Sequence, residues 1–350
     1  MEDVVIIGGG LSGSSLLYAC QQSGFSAVML EDRVVGGAGA TAHSRGMVRV
    51  YDPQPELAEY AVAGLRFWRE FGAEHPEVYT PIGLAYFLKD ENVQTAENFL
   101  ARMGNACPDM ELVPAEAVED RCSALNPRFA RDKRVAIWEP HAGHINPRVA
   151  ARALTDRAQT MGASAVEGVR VLRVVPHNGH MRVETGFGGL NARRVIVATG
   201  AAPHLLDRPQ AVETRSIVLS SFTSSQEKHP AVCLIDEEQG CYLRPGQPGH
   251  FYVGGAAPAR SAMPESLDVD EPTAMAQNTA HRQSLLESDD YNALSLHVGH
   301  DGYTADFLPY LQEPGEDTAG AFCGFSGRGA KYIPSLAQSL VSSWKAKGAL

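Results

Sequence analysis

What this sequence lacks disfavours several classes of protein. No two of its six cysteines (Cys20, Cys107, Cys122, Cys233, Cys241 and Cys323) stand at CxxC spacing, and no histidine lies at zinc-ligand spacing beside them. No metal centre or disulfide framework is therefore expected, and the thiols read as reduced and packed as small apolar side chains. There is no basic excess: 30 Lys and Arg against 41 Asp and Glu give a formal net charge of −11. Nucleic acid and anionic membrane surfaces both need a basic face, so neither is an expected partner. A small anionic substrate stays open, since one or two local cations suffice for it. No stretch approaches the ~20 apolar residues of a membrane span. No basic segment precedes the first apolar run, which Asp3 and Val4 enter directly, so a cytoplasmic location is expected. Internal repeats and low-complexity tracts are absent too.

What is present is an ordinary globular balance, 44% hydrophobic and 20% charged over 350 residues. That length suits two domains with a sizeable core and no need of cross-links. The chain opens on Val4, Val5, Ile6 and Ile7, a continuous apolar run of the kind a buried parallel strand shows. Gly8, Gly10 and Gly13 follow as GxGxxG, then a helix expected over Ser14–Gln22 and a second strand over Ala27–Leu30 that ends in Glu31. In that strand–turn–helix–strand setting each residue has a physical task. Gly8 permits the tight turn, Gly10 admits a pyrophosphate to the backbone, and Gly13 lets helix and strand pack closely. The phosphate charge falls on the free N–H groups of the helix N-terminus, and Glu31 can accept from ribose hydroxyls. NAD and FAD both carry an adenosine ribose, so these residues leave the choice between them open. They also leave open a Gly-rich loop that holds no ligand.

Further along, VVGGAGATAHSRGM reads as a loop rich in small residues that runs into MVRVY, a possible strand. Helices are expected over Glu56–Phe71, Glu91–Met103, Ala115–Cys122, from Pro147 to about Met161, and over Thr273–Glu287. Tyr79–Leu88 reads as a strand pair or extended segment, RVAIWEPHAGHINP as strand, turn and helix start, and Gly162–Val175 as turn and strand. Arg194–Pro203 reads as a strand ending in a glycine turn, and Ser216–Gly255 as short strands of an antiparallel sheet. The expected fold class is α/β: a Rossmann-like domain with a parallel sheet and a second, mostly antiparallel β-sheet substrate domain. The chain leaves the first domain and re-enters it. The first is expected over 1–78, 144–212 and 298–350, and the second over 79–143 and 213–297.

Eight stretches in order carry a resemblance to a known family: VVIIGGGLSGSSLLYA with Glu31, HSRGM, VRVYDP, TPIGLAYF, WEPHAGHINPRVAARAL, VIVATGAAP, DGYTADFLPYL and CGFSGRGAKYIPSLAQSL. Together they resemble the D-amino-acid oxidase superfamily of FAD flavoproteins, in the pattern of monomeric sarcosine oxidase and glycine oxidase. The likeness spans nearly the whole chain, and it implies FAD in the first domain. The cofactor-binding residues it implies are Gly8, Gly10, Leu11, Ser12, Gly13, Glu31, Asp32, Arg33, Thr41, Ala42, Arg45, Gly46, Met47, Val169, Thr199, Gly200, Gly324, Gly327, Arg328, Gly329, Ala330 and Lys331.

A flavin that oxidises an amine needs the C–H bond aimed at N5, a deprotonated amine, and donors near N1 and O2. The backbone N–H groups of Gly324, Gly327 and Gly329 are expected at the ring edge, and the positive end of the following helix points the same way. The resemblance implies Lys331 as a ligand of a substrate carboxylate, against the alternative of a solvated surface lysine. Arg49 is a second anchor by bidentate geometry, against a structural ion pair. Arg45 reaches either the flavin phosphates or the substrate. Tyr242 falls at an active-site tyrosine of the family, and His300 is a candidate for proton handling. Two departures stand out. Tyr252 occupies the place of a lysine that helps oxygen react, and Asp301 replaces the cysteine that sarcosine oxidase links to its flavin, so noncovalent FAD is expected. The implied function is oxidation of a small amine or amino acid by hydride transfer to flavin N5, giving an imine and then H2O2 as O2 reoxidises the flavin. The alternatives are a dehydrogenase that feeds a quinone or protein acceptor, and an enzyme acting on a protein- or peptide-tethered amine. Oligomeric state is not legible.

Overall fold

The structure is a computed structural model and describes residues 1–224, 229–256, 259–287 and 290–346. Residues 225–228, 257–258, 288–289 and 347–350, which belong to the two expected domains, lie outside the described residues.

The opening strand, Glu2–Ile7, sits inside an eight-stranded sheet. It pairs in parallel with Ala27–Leu30 on one side and Gly188–Val197 on the other. Ser164–Val166 and Gly320–Cys323 extend the parallel part at its two ends. Why the run is apolar at every position follows from its two faces. Val4 and Ile6 enter one core, with Leu16, Leu17 and Leu336, while Val5 and Ile7 enter another, with Val183, Val195 and Val197. A strand covered on both sides has no polar face to show. Helices Leu11–Ser23, Pro147–Thr160 and Ile333–Ala346 supply the first cover. An antiparallel hairpin, Val171–His177 and His180–Thr185, finishes the sheet along the outer half of Gly188–Val197.

The second sheet has nine strands and is antiparallel except where Cys233–Asp236 runs parallel to Leu84–Phe87. Its core is aromatic: Phe87 stacks on Phe129 and Phe222 on Phe251. The longest pairing joins Glu213–Ser224 to Tyr291–Tyr303. A three-stranded sheet of Met47–Val48, Gly143–Ile145 and Tyr79–Pro81 lies apart from these two.

Most expected elements appear with shifted ends. The first helix is Leu11–Ser23 rather than 14–22, and the helix expected over 273–287 is Glu271–Leu285. Glu56–Phe71 becomes a short 3-10 turn and the helix Ala58–Glu74. Three readings are corrected. The stretch MVRVY pairs only at Met47–Val48, because the N–H groups of Val50 and Tyr51 are taken by the Glu139 carboxylate (2.5 and 3.0 Å) instead of a neighbouring strand. The small-residue loop contains a helical turn, Gly39–His43. Residues 291–303, given no element from sequence, form a 13-residue strand.

Candidate active site

A cavity of about 890 Å³ runs from the end of Ala27–Leu30, past the first turn of Leu11–Ser23, to the turn Gly324–Lys331. The turn before the first helix closes tightly. A Cβ on Gly13 would lie 1.8 Å from the Gly8 carbonyl oxygen, so only hydrogen fits where helix and strand meet. Gly10 caps the helix with extended backbone and no side-chain cap, which leaves first-turn N–H groups without intrahelical acceptors. The Thr41 hydroxyl accepts from Leu11 N at 2.9 Å, and Ser12 lines the cavity beside it. Glu31 is buried, and its two oxygens accept from Gly9 N (2.6 Å) and Arg33 N (2.9 Å). Burial raises its pKa, and those N–H groups work against the rise. Each oxygen keeps a lone pair for a ribose hydroxyl. An anion-ready helix terminus beside a buried acid fits the pyrophosphate and ribose of a dinucleotide.

Of the residues expected around the cofactor, Gly13, which packs helix on strand, and Ala42 do not line the cavity; the others do. Arg49, Tyr242 and His300 line it too, and Tyr252 does not.

The far wall is dense in charge. Lys331 is neither a solvated lysine nor an open anchor. It is 1% exposed, its Nζ lies 2.6 Å from Asp52 Oδ2, and it donates to the Tyr51 carbonyl at 3.1 Å. Burial first, then Arg49, draws it below the ordinary lysine range, with Asp52 opposing. Asp52 also holds Arg328 at 2.8 Å. Burial opposes its charge, but Lys331, Arg49 and Arg328 outweigh that and hold the carboxyl at about 2. Helix Ala58–Glu74 backs this turn so closely that a Cβ on Gly64 would lie 1.8 Å from the Lys331 carbonyl oxygen. Arg49 differs from Lys331. Its guanidinium lies 5.1 Å from the Tyr86 ring centre, its buried Nη1 has no hydrogen-bond partner, and among the described residues it forms no ion pair. Asp52 and Glu139 are absent from the sequence-level site. Their only sequence signal is an acid at the close of an apolar run, in VRVYD and VAIWE.

Tyr242 is half-buried in the wall, and loss of solvent pushes its hydroxyl up to about 12, so it stays neutral. Tyr252 lies outside the lining, with the Arg45 guanidinium 4.3 Å and the Arg244 guanidinium 5.7 Å from its ring centre. Arg45 itself lines the cavity with its Nε unpartnered. His300 is held below its ordinary pKa by burial and then by His43. Asp301 is half-buried, and desolvation raises it to about 6 although Gly302 N (2.8 Å) and Gly327 N (2.9 Å) donate to it. The Gly327 N–H, expected at the flavin edge, is therefore committed to Asp301.

A dinucleotide cradle on a parallel sheet, facing a charged wall built from the segment after Met47–Val48 and the turn at residues 324–331, defines a nucleotide-dependent enzyme of two-sheet architecture. Residues 3–343 match the DAO family, described as FAD dependent oxidoreductase, and the chain belongs to that family. It is 26% identical over 263 residues to human mitochondrial dimethylglycine dehydrogenase, covering 71% of this chain and 30% of that protein. It is 23% identical over 203 residues to monomeric sarcosine oxidase from Bacillus sp. (strain B-0618), covering 57% of this chain and 51% of that one. The matched region thus spans about half or less of the length of these relatives. Among solved structures, L-proline dehydrogenase from P. horikoshii superposes with a TM-score of 0.88 at 19% identity, covering 99% of this chain and 94% of that one, a likeness of fold. No helix among the described residues is long and apolar enough to cross a membrane.

Proposed function

We propose that the protein oxidises the C–N bond of a small amine bearing a carboxylate, an amino acid or N-substituted amino acid, with FAD held noncovalently in the cavity. The observation that carries this reading is Arg49: a half-buried guanidinium on the cavity wall whose buried Nη1 has no hydrogen-bond partner and which forms no ion pair among the described residues. A buried donor atom left unpaired is costly until an acceptor arrives, and a carboxylate meets a guanidinium with two parallel hydrogen bonds. Bound FAD would supply the two-electron oxidation. Glu31 and the turn Gly8–Gly13 would hold its ribose and pyrophosphate.

The chain's own groups then have separable tasks. Arg49 fixes the carboxylate and so orients the neighbouring carbon. Asp52 and Lys331 keep the Arg49 wall rigid. Tyr242, neutral throughout the working range, closes the site as a hydrogen-bonding surface without adding charge. Arg45 places a cation over Tyr252, on the side where the family resemblance has a lysine. That charge supports O2 as acceptor, since a positive charge favours formation of superoxide.

The test is anaerobic absorbance of the purified holoprotein while a pool of amino acids and N-methyl amino acids is added. Bleaching of a flavin spectrum, with O2 uptake on aeration, is expected. Acid precipitation should leave the flavin in the supernatant. A flavin that stays oxidised with every member of the pool overturns the substrate class. Bleaching without O2 uptake overturns the acceptor.

A further inference from the structure

Opposite in sign to Arg49, and one tyrosine away, is Glu237. It lines the same cavity. Its Oε1 accepts from the Tyr86 hydroxyl at 3.3 Å and its Oε2 from Lys89 N at 2.8 Å, while Arg49 lies over the face of that same Tyr86 ring. Its neighbours in sequence are neutralised. Asp236 pairs with Arg128 and Arg134, and Glu238 pairs with Arg134. Glu237, between them, forms no ion pair among the described residues, and it is the member of the Asp236–Glu238 run left facing the cavity without a cation.

From this we propose that the substrate carries a second cation: an amino acid whose side chain ends in an ammonium or guanidinium, with its carboxylate on Arg49 and its distal charge on Glu237. This rests on the reading of Arg49 as carboxylate anchor. Two hydrogen bonds fix the Glu237 carboxylate, so it does not have to be ordered when the ligand binds, and each oxygen retains a lone pair for a third donor. A neutral side chain would leave a half-buried carboxylate facing an apolar group and lose its hydration without return.

The experiment uses the holoprotein with its flavin absorbance as reporter. Pentanoate and 5-aminopentanoate are titrated into wild type and Glu237→Gln, a change that keeps a carbonyl acceptor for Lys89 N and offers an amide N–H to the Tyr86 hydroxyl oxygen. The aminated ligand should bind about tenfold tighter to wild type, the size of one favourable charge contact in a partly shielded site, and the ratio should fall toward one in the variant. A wild-type ratio near one, a ratio unchanged in Glu237→Gln, or no binding of 5-aminopentanoate overturns the proposal. If the variant fails to fold, the wild-type ratio decides alone. Anaerobic reduction by lysine against norleucine separates the two readings. If neither bleaches the flavin while the ratio holds, amine oxidation fails and charge recognition stands. If both bleach it equally well, oxidation stands and the second cation fails.

Discussion

Arg49 and Lys331 share a wall and both act on Asp52, yet only Lys331 is held in an ion pair there, while Arg49 Nη1 has no hydrogen-bond partner. Arg49→Lys keeps the charge and removes the fork. It should lower kcat/KM by about 10²-fold, through KM more than kcat, because an ammonium cannot hold a carboxylate in two places. An unchanged KM in steady-state kinetics would contradict the anchor role. Lys331 belongs to a buried pair instead. Removing one member of such a pair costs about 3–5 kcal/mol. Lys331→Met and Asp52→Asn should each lower the denaturation midpoint strongly, and the double variant should lose less than the two singles combined, as a double-mutant cycle would show. Asp301 carries a pH signature. Its folded pKa of about 6 lies above the ordinary 3.8, so the native state holds a proton there that the unfolded chain releases. Its stabilising effect is full below pH 3.8 and is lost as pH rises through 6, about 3 kcal/mol at 1.36 kcal/mol per unit. Asp301→Asn should therefore raise Tm relative to wild type at pH 7.5 and not at pH 4. Equal differences at both would refute this. At this scale the sequence names Arg49 and Lys331 through a family pattern. It hides Asp52 as the partner of Lys331, because only the fold brings the two segments together.

Among the elements, the helix Ala58–Glu74 decides how the cofactor-side turn is held. Its Gly64 touches the Lys331 carbonyl so closely that any side chain must push helix and turn apart. Gly64→Ala should destabilise the protein by about 1–3 kcal/mol and weaken flavin retention, measured as the flavin that passes an ultrafiltration membrane. Retention equal to wild type would show that the turn does not depend on the helix. Legibility also divides by element. Glu2–Ile7 is plain in the sequence because both its faces are buried. Tyr291–Tyr303 is not, because the alternation of Leu294, Leu296 and Val298 with Ser295 and His297 is short and runs into Gly299, His300, Asp301 and Gly302, and its partner, Glu213–Ser224, is remote in sequence. The strand expected at MVRVY stops early because a side chain, Glu139, takes the place of a neighbouring backbone, and no local pattern announces such a substitution.

For the whole molecule, the two-sheet architecture follows from alternation of apolar runs and glycine turns, whereas the identity of the dinucleotide does not. If the cavity is the FAD site, adding FAD to apoprotein at a hundredfold excess over Kd should stabilise it by about 2.7 kcal/mol, and NAD at equal concentration should not. Equal shifts in thermal unfolding would reopen that choice. The discontinuity of the first sheet has a consequence for how the protein comes into being. Glu2–Ile7 and its glycine turn emerge from the ribosome before the rest of their sheet: the neighbouring strand Gly188–Val197 comes much later, and the sheet gains Gly320–Cys323 and the turn to Lys331 later still. The second sheet must be threaded out and back in the meantime. A nascent chain carries half a cradle until residues 320–331 are made, so on the reading of this cavity as the flavin site the cofactor has no complete berth until translation has passed Lys331. Ribosome-bound chains stalled before Gly320 should therefore be colourless, however much flavin the cell contains.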